Sequence, residues 1–404
     1  MSVTAAQGFR AAGVAAGLKT SGLLDVALVV NDGPQYAAAA VVTSNRVKAA
    51  PVLWTQQVLA DGRADAVVLN SGGANACTGP AGFQDTHAIA EWAALALGVS
   101  ATDVAVCSTG LIGQRLPVDR LLAGLEDAVH LLTETGGEDA ARAIMTTDTV
   151  PKQSAAHRDV SDRDGLDSLD GPDAGAQGSD GFIVGGMAKG AGMLAPGLAT
   201  MLAVLTTDAV VPADTLDRAL RAATAATFDR VDSDGCMSTN DTVLLLASGA
   251  SGVAPDEVTL TETVTAVCAD LARQMIDDAE GATKSVAVSV QHAATTDDAL
   301  TVARAVARSN LVKCALHGED PNWGRILAAV GTTHAAFEPQ CLAVALNGVW
   351  VCRDGMAAED RSTVDLAGRE VTVTVDLAAG GAEATVWTND LTAAYVHENS
   401  AYPT

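Results

Sequence analysis

Three short apolar runs near the start of the chain each stop at a cluster of turn residues: DVALVV (25–30), YAAAAVVTSN (36–45) and ADAVVLNSGG (64–73). Runs of this length closed by Asn, Ser and Gly read as buried strands. They alternate with helical periodicity. In DTHAIAEWAALALG (85–98), Ile89, Trp92, Ala93 and Ala96 fall on one helical face. After DVAVCSTG a second helix is expected from near Pro117, with Val118, Leu121, Leu122, Leu125 and Val129 in phase. This alternation points to the α/β class.

Further on, PADTLDRALRAATAATF (212–228) predicts a helix with Leu216 and Leu220 on one face. A longer one is predicted over 255–281, with Val264, Val267, Cys268, Leu271 and Met275 in phase, ending at Glu280-Gly281 where glycine suits a left-handed cap. SVAVSV (285–290), a helix over 299–308 and LVKCALHG (311–318) read as a strand–helix–strand unit. EVTVTVDL and EATVW, on either side of Gly380-Gly381, read as a hairpin. A chain of 404 residues exceeds one ordinary core, so two domains are expected, 1–281 and 282–404. Residues 152–180, rich in Asp, Gly and Ser, break the pattern and predict a surface excursion or mobile hairpin.

Composition excludes several classes. The formal charge is −25, from 24 Lys+Arg against 49 Asp+Glu, and such a surface repels nucleic acid and anionic lipid. Neither is expected as a partner. Anionic small substrates remain compatible, because one lysine or arginine can reverse the field inside a cleft. Lys189, in the glycine-rich stretch GGMAKGAG, is such a candidate, beside the ordinary reading of a solvated loop charge. The seven cysteines are odd in number and lack CxxC spacing, so neither a disulfide framework nor a zinc site is signalled, and a reducing compartment is expected. The first residues lack a signal-peptide pattern, and no apolar run is long enough to span a membrane, so a cytoplasmic location is expected. P-loop, GxGxxG, GxSxG and HExxH motifs are missing, so no metal or nucleotide cofactor is called for.

The segment AKGAGMLAPGLATMLAVLTTDA (188–209) carries the sharpest chemical question. A glycine-rich approach stops at Ala199-Thr200 and an apolar run follows. A threonine hydroxyl is a weak nucleophile unless a base sits beside it, and a threonine freed as an N-terminus carries its own base in the α-amine. That amine has an unperturbed pKa of about 7.7–8.0, suited to proton transfer near neutrality. Cleavage between Ala199 and Thr200, by attack of the hydroxyl on the preceding carbonyl, would create it. The plain alternative is a threonine at the start of a buried strand. CSTGLIG (107–113) offers a hydroxyl at Thr109 and an open main-chain N–H at Gly110, the parts of an oxyanion hole, or else an ordinary turn. Glu280 in DDAEGATK is a candidate cleft carboxylate or a capping residue. GEDPNWGR (318–325) packs two acids, Trp323 and Arg325 into one turn, or forms a structural ion-pair turn.

Together these segments are similar to the ornithine acetyltransferase (glutamate N-acetyltransferase) family. The resemblance runs nearly end to end, through GFRAAGVAAGLK, TSNRVKAAP, NSGGANACTG, CSTGLIG, MTTDTVPK, GGMAKGAGMLAPGLATML, VDSDGCMSTNDT, EGATK, GEDPNWGR and YVHENSAYPT. Ala-, Asp- and Arg-rich, Lys-poor usage suits an actinobacterial member. The resemblance implies an α/β/β/α sandwich of stacked sheets flanked by helices, shared with self-cleaving aminopeptidases, with a smaller C-terminal α+β domain. It implies a precursor cut before Thr200 into chains 1–199 and 200–404, assembled as α2β2. It also implies Thr200 as nucleophile, Thr109 and Gly110 as oxyanion hole, and Thr146, Lys189, Thr200, Glu280, Asn399 and Thr404 as substrate contacts, with Thr147 an alternative to Thr146. The implied substrates are N-acetylornithine and glutamate, with acetyl-CoA a second donor in some members, and no cofactor. The runner-up is a self-processing aminopeptidase or amidase of the same fold. Gly197 and Leu198 depart from the family's more usual PNMATML, and neither change removes an atom that cleavage needs.

Overall fold

The computed structural model describes residues 2–159, 181–195 and 201–401. The elements up to residue 277 are β1 (Phe9–Val14), β2 (Val26–Asn31), β3 (Ala37–Val42), α1 (Ala50–Val58), β4 (Ala66–Asn70), α2 (Gly79–Leu97), β5 (Val104–Ser108), α3 (Val118–Leu131), α4 (Gly137–Ala143), β6 (Lys152–Asp159), β7 (Gly181–Lys189), β8 (Leu202–Thr207), α5 (Ala213–Ala226), β9 (Thr242–Ala247) and α6 (Glu257–Asp277). The strands form a four-stranded sheet in the order β1-β2-β4-β5 and a five-stranded sheet in the order β3-β9-β8-β7-β6.

Why the strands read as unbroken apolar runs is clear from their two faces. In β2, Val26, Leu28 and Val30 pack with Trp54, Ile89 and Leu121 of α1, α2 and α3, whereas Ala27 and Val29 pack toward the other sheet. β8 divides in the same way. Leu202 and Val204 meet the four-stranded sheet, while Ala203 and Leu205 meet α5 and α6 through Leu220, Val267 and Leu271. Successive strand side chains point to opposite faces, and here both faces are covered, so neither is polar. The layers are helix, sheet, sheet, helix, the α/β sandwich that the resemblance implies.

The rest of the chain gives β10 (Ser285–Ala293), α7 (Thr296–Ala307), α8 (Asn310–His317), α9 (Trp323–Val330), β11 (Ala343–Leu346), β12 (Val349–Arg353), β13 (Met356–Ala357), β14 (Glu370–Asp376), β15 (Ala382–Asn389) and α10 (Ala393–Ala401). Its six-stranded sheet runs β13-β12-β11-β14-β10-β15 and packs against α7, α8 and α9.

Three expectations are corrected. LVKCALHG is a helix: Ser309 caps it by accepting Val312 N–H at 3.4 Å, and Val312, Ala315 and Leu316 make the buried stripe. EVTVTVDL and EATVW do not pair with each other. β10 lies between them, parallel to β14 and antiparallel to β15, and the link turns over the end of β10 as Ala379 and Gly380 donate to His292 O. Residues 152–159 are strand β6, paired in register with β7. The remainder of that supposed excursion, 160–180, lies outside the described residues.

Candidate active site

β5 ends at Ser108, whose hydroxyl donates to Asn70 Oδ1 on the neighbouring strand at 2.6 Å. Thr109 N–H then donates to Asn70 O at 2.9 Å, and Gly73 N–H donates to Thr109 O at 3.0 Å. The two strand ends are joined before the chain turns at Gly110, where φ is +127° and a Cβ would lie 2.6 Å from Gly73 N. Only glycine meets both conditions. Thr109 is buried in this turn.

A second strap ties this turn to the other sheet. Asn240 Nδ2 donates to Ala74 O at 2.6 Å and to Ser108 O at 2.8 Å. Its neighbour Asp241 accepts Met201 N–H on Oδ1 at 3.1 Å, and Thr242 N–H donates to Met201 O at 3.1 Å. Asp241 is buried, and its Oδ2 has no hydrogen-bond partner among the described residues. Burial pushes this carboxyl well above the usual carboxylate range, against the Met201 N–H and the charge of Lys189. Ala199 and Thr200 lie outside the described residues. The apolar run after them is the buried strand β8.

Lys189 is not a solvated loop charge. It is buried at the last position of β7, opposite Leu202 of β8 in the antiparallel register. Its ammonium lies 3.9 Å from Asp148 Oδ2. Burial lowers its pKa, which the charges of Asp148, Glu280 and Asp241 resist and that of Lys152 assists. The chain holds six lysines, and Lys152, Lys189, Lys284 and Lys313 are all buried, so lysine here is placed rather than scattered. Lys19 also belongs to this neighbourhood. Burial pushes it down to about 8, with Asp25 and Asp148 acting against that shift and Lys189 adding to it.

Glu280 follows the end of α6. Its Oε1 accepts the Thr147 hydroxyl at 2.7 Å and its Oε2 accepts Asn399 Nδ2 at 2.9 Å, while its N–H donates to Ala191 O at 2.9 Å. A Cβ on Gly192 would lie 2.5 Å from the Glu280 carboxylate, so the loop after Lys189 passes directly beneath it. The helix stops at Asp277 with Asp278 as its C-cap, so Gly281, at φ +62°, is not the cap expected of it but sits in the turn beyond, packed against the Tyr395 main chain. Glu280 lines an open cleft with Thr147, Thr149, Asp278, Arg369 and Asn399. Its other side faces a small recess lined by Asp234, Lys313 and Tyr395. The structure therefore brings Lys189, Glu280, Asn399 and the 146–148 turn together, and sets Thr109 and Gly110 beside the strap to Met201. Thr147, not Thr146, touches Glu280; Thr146 enters through its N–H, which donates to Asp148 Oδ2 at 3.0 Å. Thr404 lies outside the described residues.

GEDPNWGR is a structural turn. Asn322 caps α9, Glu319 pairs with Lys284 at 3.2 Å, and Arg325 donates to Leu311 O. Asp148, Lys152, Asn240, Asp241 and Lys19 escape sequence reasoning. The one available signal is positional: MSTND places polar residues directly ahead of the buried strand TVLLLA, where a core would otherwise begin. No group of three or more His, Cys, Asp or Glu among the described residues could hold a metal ion.

The model of the ArgJ family matches residues 10–404. The chain belongs to the ArgJ family. It is 64% identical over 402 residues to a Streptomyces coelicolor protein named arginine biosynthesis bifunctional protein ArgJ, covering 100% of both chains. Proteins of the same name from Thermobifida fusca and Mycobacterium tuberculosis are 61% and 58% identical, the first over 100% of each chain and the second over 99% of this chain and 96% of its own. Among solved structures, ornithine acetyltransferase from M. tuberculosis complexed with ornithine is 61% identical over 48% of this chain and 94% of its own, with a TM-score of 0.42. No helix among the described residues is long and apolar enough to cross a membrane.

Proposed function

We propose that this chain is an ornithine acetyltransferase that moves an acetyl group from N2-acetyl-L-ornithine to L-glutamate through an ester on Thr200, after cutting itself between Ala199 and Thr200. Full-length identity to ArgJ proteins supports the reaction class. The observation that carries the residue assignment is the strap. Asn240 holds the carbonyl of Ser108, next to Thr109, and Asp241 holds the N–H of Met201, next to Thr200. Two consecutive residues thus couple the nucleophile's strand to the oxyanion turn.

Thr200 Oγ attacks the acetamide carbon as its α-amine takes the hydroxyl proton. The Gly110 N–H and Thr109 hydroxyl stabilise the oxyanion of the tetrahedral intermediate. Its collapse breaks the C–N bond, and the proton goes to the departing ornithine amine. Glutamate then occupies the same pocket, and its α-amine attacks the acetyl ester and restores the Thr200 hydroxyl. One amide is exchanged for another, so the transfer is nearly balanced and needs no activated cofactor. Lys189 meets a substrate carboxylate, and Glu280, held by Thr147 and Asn399, meets the ornithine ammonium. Thr404 is a further contact in the same reading. The assembly is α2β2, cytoplasmic, with domains 1–281 and 282–404; whether acetyl-CoA serves as a second donor, as in some members, is left to the assay below.

The test is Thr200→Ala. Intact mass should show an uncut chain, and N-acetylornithine with glutamate should yield no N-acetylglutamate. Exchange at the wild-type rate by this variant would reject the nucleophile assignment. Acetyl-CoA replacing N-acetylornithine in the same assay tests the second donor.

A further inference from the structure

We propose that Asp148 is a positioning residue of this site, holding Lys189 and the Thr146 main chain in one buried arrangement from which a substrate carboxylate is bound. The inference rests on the reading of Lys189 as a substrate contact. Asp148 Oδ1 accepts Lys152 Nζ at 2.7 Å and Gly190 N–H at 2.7 Å. Its Oδ2 accepts Thr146 N–H at 3.0 Å and faces Lys189 Nζ at 3.9 Å. One carboxylate thus fixes the residue two before it, the residue after Lys189, and Lys189 itself.

The arrangement continues inward. Lys152, whose side chain has no exposed surface, also donates to Asp278 Oδ2 at 2.5 Å, and Asp278 in turn accepts Thr149 N–H at 3.0 Å. Alternating charges run Lys189, Asp148, Lys152, Asp278, from the end of β7 to the end of α6, two residues before Glu280. Two cations and two carboxylates balance. A group this buried is retained in charged form only when its partner is charged too. Burial works to raise the Asp148 carboxyl, but Lys189, Lys152 and the Thr146 N–H outweigh it and hold it well below the usual range. The groups that bear on Lys189 are Asp148 in the 146–148 turn, Lys152 on β6, Glu280 after α6, Asp241 before β9 and Lys19 after β1. Among the opposing charges Asp148 has the largest effect, so its loss shifts Lys189 further toward the neutral form, with Glu280 and Asp241 left to oppose burial.

The test is Asp148→Asn in the full chain, assayed with N-acetylornithine, whose carboxylate and side-chain ammonium do not titrate between pH 6 and 8.5 on ordinary values of about 3.5 and about 10.4. The KM at pH 8 should rise about tenfold while the fall in kcat is smaller. The ratio of the variant's KM to that of the wild type at the same pH should fall as the pH is lowered from 8.5 to 6, because protonation restores the Lys189 charge; taking the ratio cancels the titration of Lys19 and of the Thr200 amine, which both forms share. An unchanged KM at pH 8 overturns the proposal. So does a raised KM that does not recover at low pH, since a merely slackened structure would behave that way. Should Asp148→Asn not fold, Asp148→Asn with Lys152→Met removes a cation and an anion together; because Lys152 itself lowers Lys189, the rise should be smaller but still recoverable at low pH, and its absence overturns the proposal. Lys189→Ala separates the two readings. If it leaves KM unchanged, the substrate-contact role fails; if it raises KM and neither Asp148 variant does, only this inference fails.

Discussion

Met201 N–H donates to Asp241 Oδ1 at 3.1 Å, and the residue before Asp241 donates from its side chain to Ser108 O at 2.8 Å. A single peptide link therefore separates the ties to the two halves of the proposed catalytic apparatus. Asp241→Asn keeps a carbonyl oxygen that can accept the Met201 N–H, whereas Asp241→Ala leaves that N–H buried without it. We expect the asparagine variant to process itself and to retain kcat within about tenfold. The alanine variant should accumulate as uncut chain and lose about 1–3 kcal/mol of stability, the usual cost of an orphaned buried donor. Denaturing electrophoresis and thermal melts check both, and equal behaviour of the two variants counts against the anchoring role.

Thr109 and Gly110 are separable by experiment because in the proposed mechanism Thr109 acts by its side chain and Gly110 by its main-chain N–H. Thr109→Ala should lower kcat by about 10²–10³ if the hydroxyl is an oxyanion donor, with KM little changed. Gly110→Ala places a Cβ within 2.6 Å of Gly73 N at a φ of +127°, so the turn itself must move. That variant should lose both processing and transfer. A wild-type kcat for Thr109→Ala would reduce the tripeptide to a turn.

What could be read in advance follows from what each level of structure depends on. The strands β2, β4 and β8 are legible because covered faces on both sides favour apolar residues on each. The pairing of the last strands was not, because β10 slips between β14 and β15 from a hundred residues earlier in the chain, and Gly380-Gly381 carries the same local turn signal either way. LVKCALHG reads as a strand and folds as a helix for a related reason: one buried stripe of Val312, Ala315 and Leu316 is too short to separate the two. At the site, Lys189 and Glu280 are candidates from their local sequence, and the motif resemblance makes substrate contacts of them. Asp148 and Asp241 did not stand out, because an aspartate among threonines looks solvated until the fold seals it in.

Gly192 offers a test of how tightly Glu280 is held. Its missing Cβ leaves room for the Glu280 carboxylate, which a methyl group would meet at 2.5 Å. Gly192→Ala should displace Glu280 from the Thr147 hydroxyl and Asn399, and raise the KM for N-acetylornithine several-fold. Thr109, on the other strand end, is untouched, so the effect on kcat should be smaller. Steady-state kinetics with N-acetylornithine varied at fixed glutamate decides it, and an unaltered KM would show that Glu280 has slack.

The last prediction concerns pH and Lys313. Its ammonium is buried behind Glu280, donating to Ser233 O at 2.7 Å, Thr388 Oγ1 at 3.0 Å and Asn389 O. Burial pushes its pKa down to about 8, against the charges of Asp232, Asp234 and Asp390. An unfolded lysine titrates near about 10.4. Between these values the unfolded chain binds a proton that the folded chain has released, so the free energy of unfolding rises with pH across that window. Below pH 8 both states are protonated and the penalty for burying the charge is fully present. Lys313→Met abolishes the titration. It leaves three acceptors unpaired and should be less stable at every pH, so the diagnostic is the slope. The melting temperature of the wild type minus that of the variant should increase from pH 8 to pH 10. A constant difference over that interval would mean that Lys313 keeps its proton on folding, and that its neighbouring carboxylates outweigh its burial.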